Sequence, residues 1–113
     1  MTNKIVVSLI KSPNQTKKFS AIINSNKIDF GSNNSKDYVL MNTPNNKWYD
    51  PVNADIEKEN YTKRHSALGE DWGQSGIMTA GFWAKHFLWN KKTYAEAIKS
   101  IENNFNIKIV NNI

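Results

Sequence analysis

Residues 79–90 form the segment that most restricts how this chain can fold. Within eight residues the segment places four large aromatic side chains, namely Phe82, Trp83, Phe87 and Trp89. On a helix these side chains spread around much of the circumference, and such a helix is usually buried on several sides. We therefore predict a helix over residues 79–89, capped by Thr79, that packs centrally against a sheet with these four aromatics as its structural core.

A second interpretation of the same segment remains open. The aromatics are flanked by Lys85, Lys91 and Lys92. Aromatic rings interleaved with cations can stack the bases of a single strand while the cations follow its phosphates. On this interpretation one or two of the rings would be exposed as an aromatic platform.

The first part of the chain predicts β-strands. Apolar and β-branched residues form short runs, some of them alternating, and turn-forming residues separate these runs. Asn24-Ser25-Asn26 is a plausible hairpin turn because Asn tolerates positive φ. The pattern predicts an antiparallel meander with strands over residues 5–10, 19–23, 27–30 and 38–41.

The second part of the chain predicts helices and one more strand. We predict a helix over residues 54–68, which Asn53 could cap and Gly69 could end. Thr93 and Glu96 have the spacing of a capping box, which predicts a C-terminal helix over residues 93–104. Residues 107–110 could add an edge strand.

These elements predict a single α+β domain over residues 1–113, because strands and helices are segregated along the chain. In this domain a small antiparallel β-meander packs against the aromatic-rich helix and the C-terminal helix. The chain has no cysteine, which excludes disulfides and thiolate metal sites. No apolar stretch approaches the length of a membrane span, and the N-terminal apolar run is too short for a signal peptide. We therefore expect synthesis in the cytosol and no membrane partner.

The charge pattern suggests a polyanionic partner. The formal net charge is +5, and lysine supplies every basic residue except Arg64. Residues 1–47 carry a net +5, residues 48–72 a net −3 and residues 73–113 a net +3. Lysines suit contacts to phosphates better than the reading of bases, whereas the coding bias of an A+T-rich genome would also enrich lysine. The candidate nucleic-acid contacts are Lys17, Lys18, Lys27, Lys63, Arg64, Lys85, Lys91 and Lys92.

Arg64 invites two interpretations, because a single arginine among many lysines suggests a need for planar, bidentate geometry. Glu70 or Asp71 could make Arg64 an internal clamp for the loop before Gly76, which is the interpretation we favour. An external phosphate bound by Lys63, Arg64 and His65 is the alternative.

The titratable residues do not form a recognisable catalytic or metal-binding pattern. The two histidines, His65 and His86, and the scattered carboxylates lack the spacing of zinc ligands or of an acid–base pair. The glycines match no phosphate-loop motif. We therefore expect a protein that is not an enzyme and that needs neither a metal nor another cofactor.

Several short motifs resemble a family of small uncharacterised proteins encoded by large nucleocytoplasmic DNA viruses. The resemblance covers most of residues 11–103, and the chain departs from the family pattern at Val39, at Lys92 and in a longer 42–53 loop. The most specific motifs are Thr79-Ala80-Gly81-Phe82-Trp83 and Leu88-Trp89-Asn90-Lys91. The others are Lys11-Ser12-Pro13-Asn14, Lys18-Phe19-Ser20-Ala21, Ile28-Asp29-Phe30-Gly31, Asp37-Tyr38, Tyr61-Thr62-Lys63-Arg64-His65 and Glu70-Asp71-Trp72.

The resemblance implies a viral origin and a location in the host cytoplasm or the virion, but it implies no activity. Combined with the basic charge, it leads us to expect a non-enzymatic viral accessory protein that binds nucleic acid through a lysine-rich surface. The alternative is a structural or assembly component of the virion that binds other virion proteins through exposed aromatics.

Overall fold

The computed structural model describes residues 4–113, so the first three residues of the expected domain lie outside the described residues. The fold is α+β, with a four-stranded mixed sheet in the order β3-β2-β1-β4. The strands are β1 (Ile5–Lys11), β2 (Lys17–Ile23), β3 (Asn26–Ser32) and β4 (Ile107–Asn112). The first three strands form the predicted antiparallel meander. The sheet as a whole is not antiparallel, because β4 pairs with β1 in parallel.

The tight turn between β2 and β3 is a two-residue hairpin at Asn24 and Ser25, as predicted. Both residues have positive φ, 48° and 72°, and Ile23 pairs with Asn26. Positive φ at both central positions matches the right-handed twist of the paired strands.

The predicted fourth strand at residues 38–41 is wrong, because these residues form the short helix α1 (Tyr38–Met41). The carboxylate of Asp37 accepts a hydrogen bond from the backbone N–H of Leu40 at 2.8 Å and thereby caps the helix. Lys18 of β2 binds the same carboxylate, so a contact distant in sequence supports the cap.

The helix α2 (Ala54–Ala67) agrees with the predicted bounds, and Gly69 follows its end with a positive φ of 74°. Asp55 and Glu57 lie in the first turn, where the helix dipole favours negative charge. The predicted cap is wrong, however, since the side chain of Asn53 donates to the Asp50 carboxylate at 2.9 Å and makes no capping bond.

The aromatic segment forms the short helix α3 (Ala80–Trp83), which continues as a π-helical turn over Ala84–Leu88. Thr79 caps it as predicted, accepting from the N–H of Phe82 at 3.3 Å. The wider π turn departs from the continuous α-helix that we predicted, and it changes the direction in which the following side chains leave the helix axis.

The structure buries all four aromatics of this segment. Phe82, Trp83 and Phe87 are 0% exposed and Trp89 is 7% exposed. Phe87 packs edge-on against Phe19 of the sheet, with ring centroids 5.3 Å apart. The alternative of an exposed platform built from these rings is therefore wrong, because all four rings are buried in the hydrophobic core.

The C-terminal helix α4 (Tyr94–Asn104) begins at the predicted capping box. The Thr93 hydroxyl accepts from the N–H of Glu96 at 3.2 Å and donates to the Glu96 carboxylate at 3.1 Å. The chain then enters β4 at the sheet edge, which confirms the predicted edge strand. Within residues 4–113, no helix has both the length and the apolar character needed to cross a membrane.

Gly76 lies so close to the backbone of Asp71 that a side chain cannot be accommodated without movement. A Cβ at this position would lie 1.9 Å from the Asp71 carbonyl oxygen. We expect Gly76→Ala to lower the free energy of unfolding by about 1–3 kcal/mol, the usual cost of overpacking. A thermal melt measures the change.

Gly73→Ala is the matched control for this prediction. A Cβ there would meet only the Asp71 carboxylate oxygen, at 3.4 Å, and the backbone φ of −89° suits any residue. We expect its melting midpoint to equal or slightly exceed that of the wild type. Equal melting of the two variants would show that the Asp71 loop moves aside freely.

Candidate nucleic-acid interface

A groove with a volume of about 560 Å³ lies between the first hairpin, the loop over residues 42–53 and the start of α4. We call it the basic groove. None of the described residues that line it is Asp or Glu. Its lining consists of four lysines (Lys11, Lys17, Lys18 and Lys47), four apolar or aromatic residues (Phe19, Leu40, Trp48 and Tyr94) and three polar ones (Ser12, Asn33 and Asn46).

The turn between β1 and β2 holds Lys11 and Lys17 on one wall of the groove. The Ser12 hydroxyl accepts from the N–H of Asn14 at 3.1 Å, and the Lys17 N–H donates to the Asn14 carbonyl at 3.0 Å. The Asn33 side-chain amide donates to the carbonyl of Lys17 at 3.0 Å and so ties the turn to the end of β3. These bonds fix the backbone from which both lysine side chains extend.

Asn46 organises the opposite wall. Its side-chain amide donates to the carbonyls of Leu40 at 3.0 Å and Thr43 at 2.6 Å. Its side-chain oxygen accepts from the N–H of Trp48 at 2.8 Å. A loop that reads as irregular in sequence is thereby held in one shape, because Asn side chains satisfy backbone groups that no regular element pairs.

Trp48 is half-buried, and its ring belongs to the groove wall. The ammonium of Lys47 lies 4.7 Å from the centroid of this ring, within range of a cation–π interaction. Within residues 4–113 the indole N–H of Trp48 makes no hydrogen bond, so it remains available as a donor.

Tyr94 adds a hydroxyl donor to the groove. Its half-buried ring stacks on Phe87, with centroids 5.0 Å apart, so the side chain is well fixed. Burial, and secondarily the charge of Asp37, raise the pKa of the Tyr94 hydroxyl, so this phenol stays protonated to a higher pH than an exposed tyrosine. A protonated phenol can donate to a phosphate oxygen or to a base.

Lys18 does not have the free charge that its candidate role requires. Its ammonium lies 2.6 Å from the Asp37 carboxylate and 2.7 Å from the Ser35 carbonyl. Its side chain is 9% exposed and that of Asp37 is 1% exposed. The free positive charge of the groove therefore comes from Lys11, Lys17 and Lys47.

A second, smaller depression of about 330 Å³ shares Trp48 with the basic groove. Lys36 and Arg64 provide its charge, while Asn34 and Ser35 complete its lining. Lys36 is partly neutralised, since its ammonium lies 3.1 Å from the Glu57 carboxylate. Trp48 thus stands between two basic depressions. We call this residue the Trp48 ridge.

The predicted internal clamp by Arg64 is wrong. Glu70 instead binds the His65 ring nitrogen Nδ1 at 2.9 Å and the Trp72 indole N–H at 3.1 Å. Asp71 accepts hydrogen bonds from Ser75 and from the N–H of Gly73. No carboxylate of residues 4–113 lies within ion-pair distance of Arg64, which is exposed beside the Trp48 ridge.

The other candidate cations lie outside both depressions. Lys27 is 3.9 Å from the Asp29 carboxylate, and Lys63 is 3.1 Å from that of Glu59. Lys85 is half-buried over the Trp72 ring at 5.4 Å, and burial lowers the pKa of its ammonium. The structure therefore brings Lys17, Lys18 and Arg64 together around Trp48. It does not bring Lys27, Lys63, Lys85, Lys91 and Lys92 there.

Four residues of the groove were missed as candidates from the sequence, namely Lys11, Lys47, Trp48 and Tyr94. Lys47 next to Trp48 in a proline-flanked loop was a usable signal, because a cation beside an aromatic is the pairing that single-strand binding favours. The amphipathic pattern of α4 indicated only core packing for Tyr94.

The His, Asp and Glu residues of the described chain are not gathered as a set of metal ligands. Residues 4–113 contain no group of three or more His, Asp or Glu residues that could hold a metal ion. His65 is bound to Glu70, as described, and His86 Nε2 donates to the Trp72 carbonyl at 2.8 Å. Burial, and secondarily the charge of Lys85, lower the pKa of His86, whereas the hydrogen bond to the Trp72 carbonyl acts in the opposite direction.

Comparisons with known proteins identify no relative from which a function could be inferred. The family resemblance of residues 11–103 and the viral origin that it implies stay predictions. No protein-family model matches the chain, and neither a curated protein nor a solved structure matches it significantly.

Proposed function

We propose that this protein binds nucleic acid without catalysing a reaction on it, and that the sugar–phosphate backbone lies in the basic groove. The observation that carries the proposal is the composition of the groove lining, which has no described carboxylate and, besides the paired Lys18, three lysines without an ion pair in residues 4–113. In keeping with the family resemblance, we propose this binding as the role of a small viral accessory protein.

The charges of the groove suit a polyanion. The three free cations of the groove are Lys11, Lys17 and Lys47. None of them lies within ion-pair distance of a carboxylate of residues 4–113. Each phosphate contact releases condensed counterions, which makes such binding favourable at low salt. Lysine contacts of this type position a backbone but do not select a sequence.

The neutral groups of the groove add to this preference. The indole N–H of Trp48 and the hydroxyl of Tyr94 are donors without partners in the described chain. Phosphate oxygens only accept hydrogen bonds, so a lining rich in free donors complements them. The groove is therefore expected to take an anionic chain in preference to a neutral partner whose own donors need acceptors.

The competing proposal is a structural or assembly component of the virion that binds other virion proteins. The observation in its favour is a cluster of exposed apolar side chains around the start of α2. Val52 is 86% exposed, Ile56 is 57% exposed, and Tyr49 of the preceding loop is 47% exposed. An interface of this kind depends on salt much less than phosphate contacts do.

A charge-matched pair of variants tests the nucleic-acid proposal. Lys11, Lys17 and Lys47 are replaced together by glutamine, and binding of a labelled single-stranded oligonucleotide is followed by fluorescence anisotropy between 50 and 200 mM salt. Three lost phosphate contacts should reduce the slope of log affinity against log salt by about 2, at about 0.7 per contact.

The control replaces Lys92, Lys99 and Lys108 by glutamine, which removes the same total charge outside the groove. We expect this variant to keep the wild-type slope. Equal losses in the two variants would show that binding follows net charge and not the groove. No binding by micromolar wild-type protein at low salt would overturn the nucleic-acid proposal and favour the virion component.

A further inference from the structure

The Trp48 ridge carries an inference about the form of the nucleic acid. Trp48 lines both the basic groove and the second depression, so positive charge is present on both sides of one aromatic side chain. Lys17 and Lys47 belong to the first side, and Lys36 and Arg64 belong to the second. None of the described residues that line either depression is acidic.

The backbone that carries Trp48 is held in place before any ligand arrives. The side chain of Asn46 donates to the carbonyls of Leu40 and Thr43 and accepts from the N–H of Trp48. The N–H of Asp50 donates to the Met41 carbonyl at 2.9 Å. A loop whose backbone is already ordered loses little backbone entropy when a ligand stacks on its aromatic residue, so more of the stacking energy appears as affinity.

Among the cations of residues 4–113, Lys47 is the one that contacts this ring. Its side chain is long and exposed, so its ammonium can leave the ring face and follow a phosphate when a planar group arrives. Bases on a single strand present such planar faces. Bases inside a duplex are already stacked and paired, and extracting one costs a few kcal/mol.

We infer that the nucleic acid is single-stranded and crosses the Trp48 ridge, with one base stacked on Trp48 and its flanking phosphates in the two basic depressions. This inference rests on the proposed nucleic-acid function and specifies its ligand. Stacking on indole tolerates every base, so the site has little sequence preference.

Trp48→Leu tests the inference, because leucine keeps an apolar side chain in the loop and removes the stacking surface. Anisotropy titrations use a labelled oligothymidylate and a labelled duplex of mixed sequence. We expect the affinity for the single strand to fall roughly 5- to 150-fold, which corresponds to the loss of one stacked base. The affinity for the duplex should change less than about twofold, since the lysine contacts remain.

Trp72→Leu is the control, because Trp72 is also half-buried beneath a lysine but lines neither depression. Its single-strand affinity should match that of the wild type. A thermal melt of each variant establishes that the protein is folded at the temperature of the titration.

The outcomes separate this inference from the proposed function. A Trp48→Leu variant that keeps its single-strand affinity, or loses single-strand and duplex affinity alike, overturns the stacking inference while the groove proposal stands on its own lysine variants. A wild-type protein that binds neither probe at low salt overturns both.

Discussion

Trp83→Ala is expected to lower the free energy of unfolding by about 3–5 kcal/mol, the range typical of large aromatic residues removed from a core. Trp83 is 0% exposed and lies against Phe30 of the sheet, with ring centroids 6.2 Å apart. Its indole N–H donates to the Ile77 carbonyl at 2.7 Å, so the substitution also leaves a buried acceptor unpaired. For a domain of this size the melting midpoint should fall by about 12–20 °C.

Trp83→Phe separates the two parts of this effect. Phenylalanine keeps an aromatic ring in the core, leaves a smaller cavity than alanine and removes the hydrogen bond to Ile77, so the expected loss is about 1–3 kcal/mol. Denaturant titration and calorimetry measure both variants. A melting midpoint of Trp83→Ala close to that of the wild type would contradict the central position of the aromatic segment.

Asp37→Ala is the second substitution with a large expected effect. It leaves the buried ammonium of Lys18 without its carboxylate, and breaking a buried ion pair from one side costs about 3–5 kcal/mol. It also removes the cap of α1, which contributes about another 1 kcal/mol. Chemical denaturation of the purified variant measures the combined loss.

The double variant Lys18→Met with Asp37→Asn is the matched control. It removes one positive and one negative charge together, and asparagine can still accept the N–H of Leu40. Replacing both members of a buried pair is often close to neutral, so we expect most of the stability to return. A double variant as unstable as Asp37→Ala would show that the charges themselves are needed in the fold.

The same double variant defines the part that Lys18 plays in binding. The ion pair contributes no net charge to the basic groove, so its removal should leave the affinity for a single-stranded oligonucleotide within about twofold of the wild-type value. A large loss of affinity in a folded double variant would restore Lys18 as a phosphate contact.

Local signals along the chain were sufficient for several elements. The capping box at Thr93 and Glu96, the Thr79 cap and the hairpin turn at Asn24 and Ser25 all lie within three residues of the groups that they satisfy. Such short-range hydrogen bonds and φ preferences depend on residue type alone, so the sequence by itself determined these starts and turns. The aromatic density of residues 79–90 favoured a buried element because burying so much apolar area is favourable, whereas the structure decided against the exposed platform.

Tertiary structure decided between strand and helix at residues 38–41. A run of four apolar residues suits both elements, and its periodicity cannot separate them. The decision depends on Asp37, whose carboxylate caps α1 while Lys18 from β2 neutralises it. That partner lies nineteen residues earlier in the chain, so only the folded sheet can supply it.

The candidate site likewise depends on contacts between residues that are distant in sequence. Lys17, Trp48 and Tyr94 come from a hairpin, a loop and a helix that are separated by long stretches of sequence. Charge counts located the basic parts of the chain, but they could not show that Lys18 is neutralised or that Arg64 lies beside Trp48. Local residue preferences determine where elements start and turn, whereas the shape and free charge of a groove depend on side chains that meet only after the chain has folded.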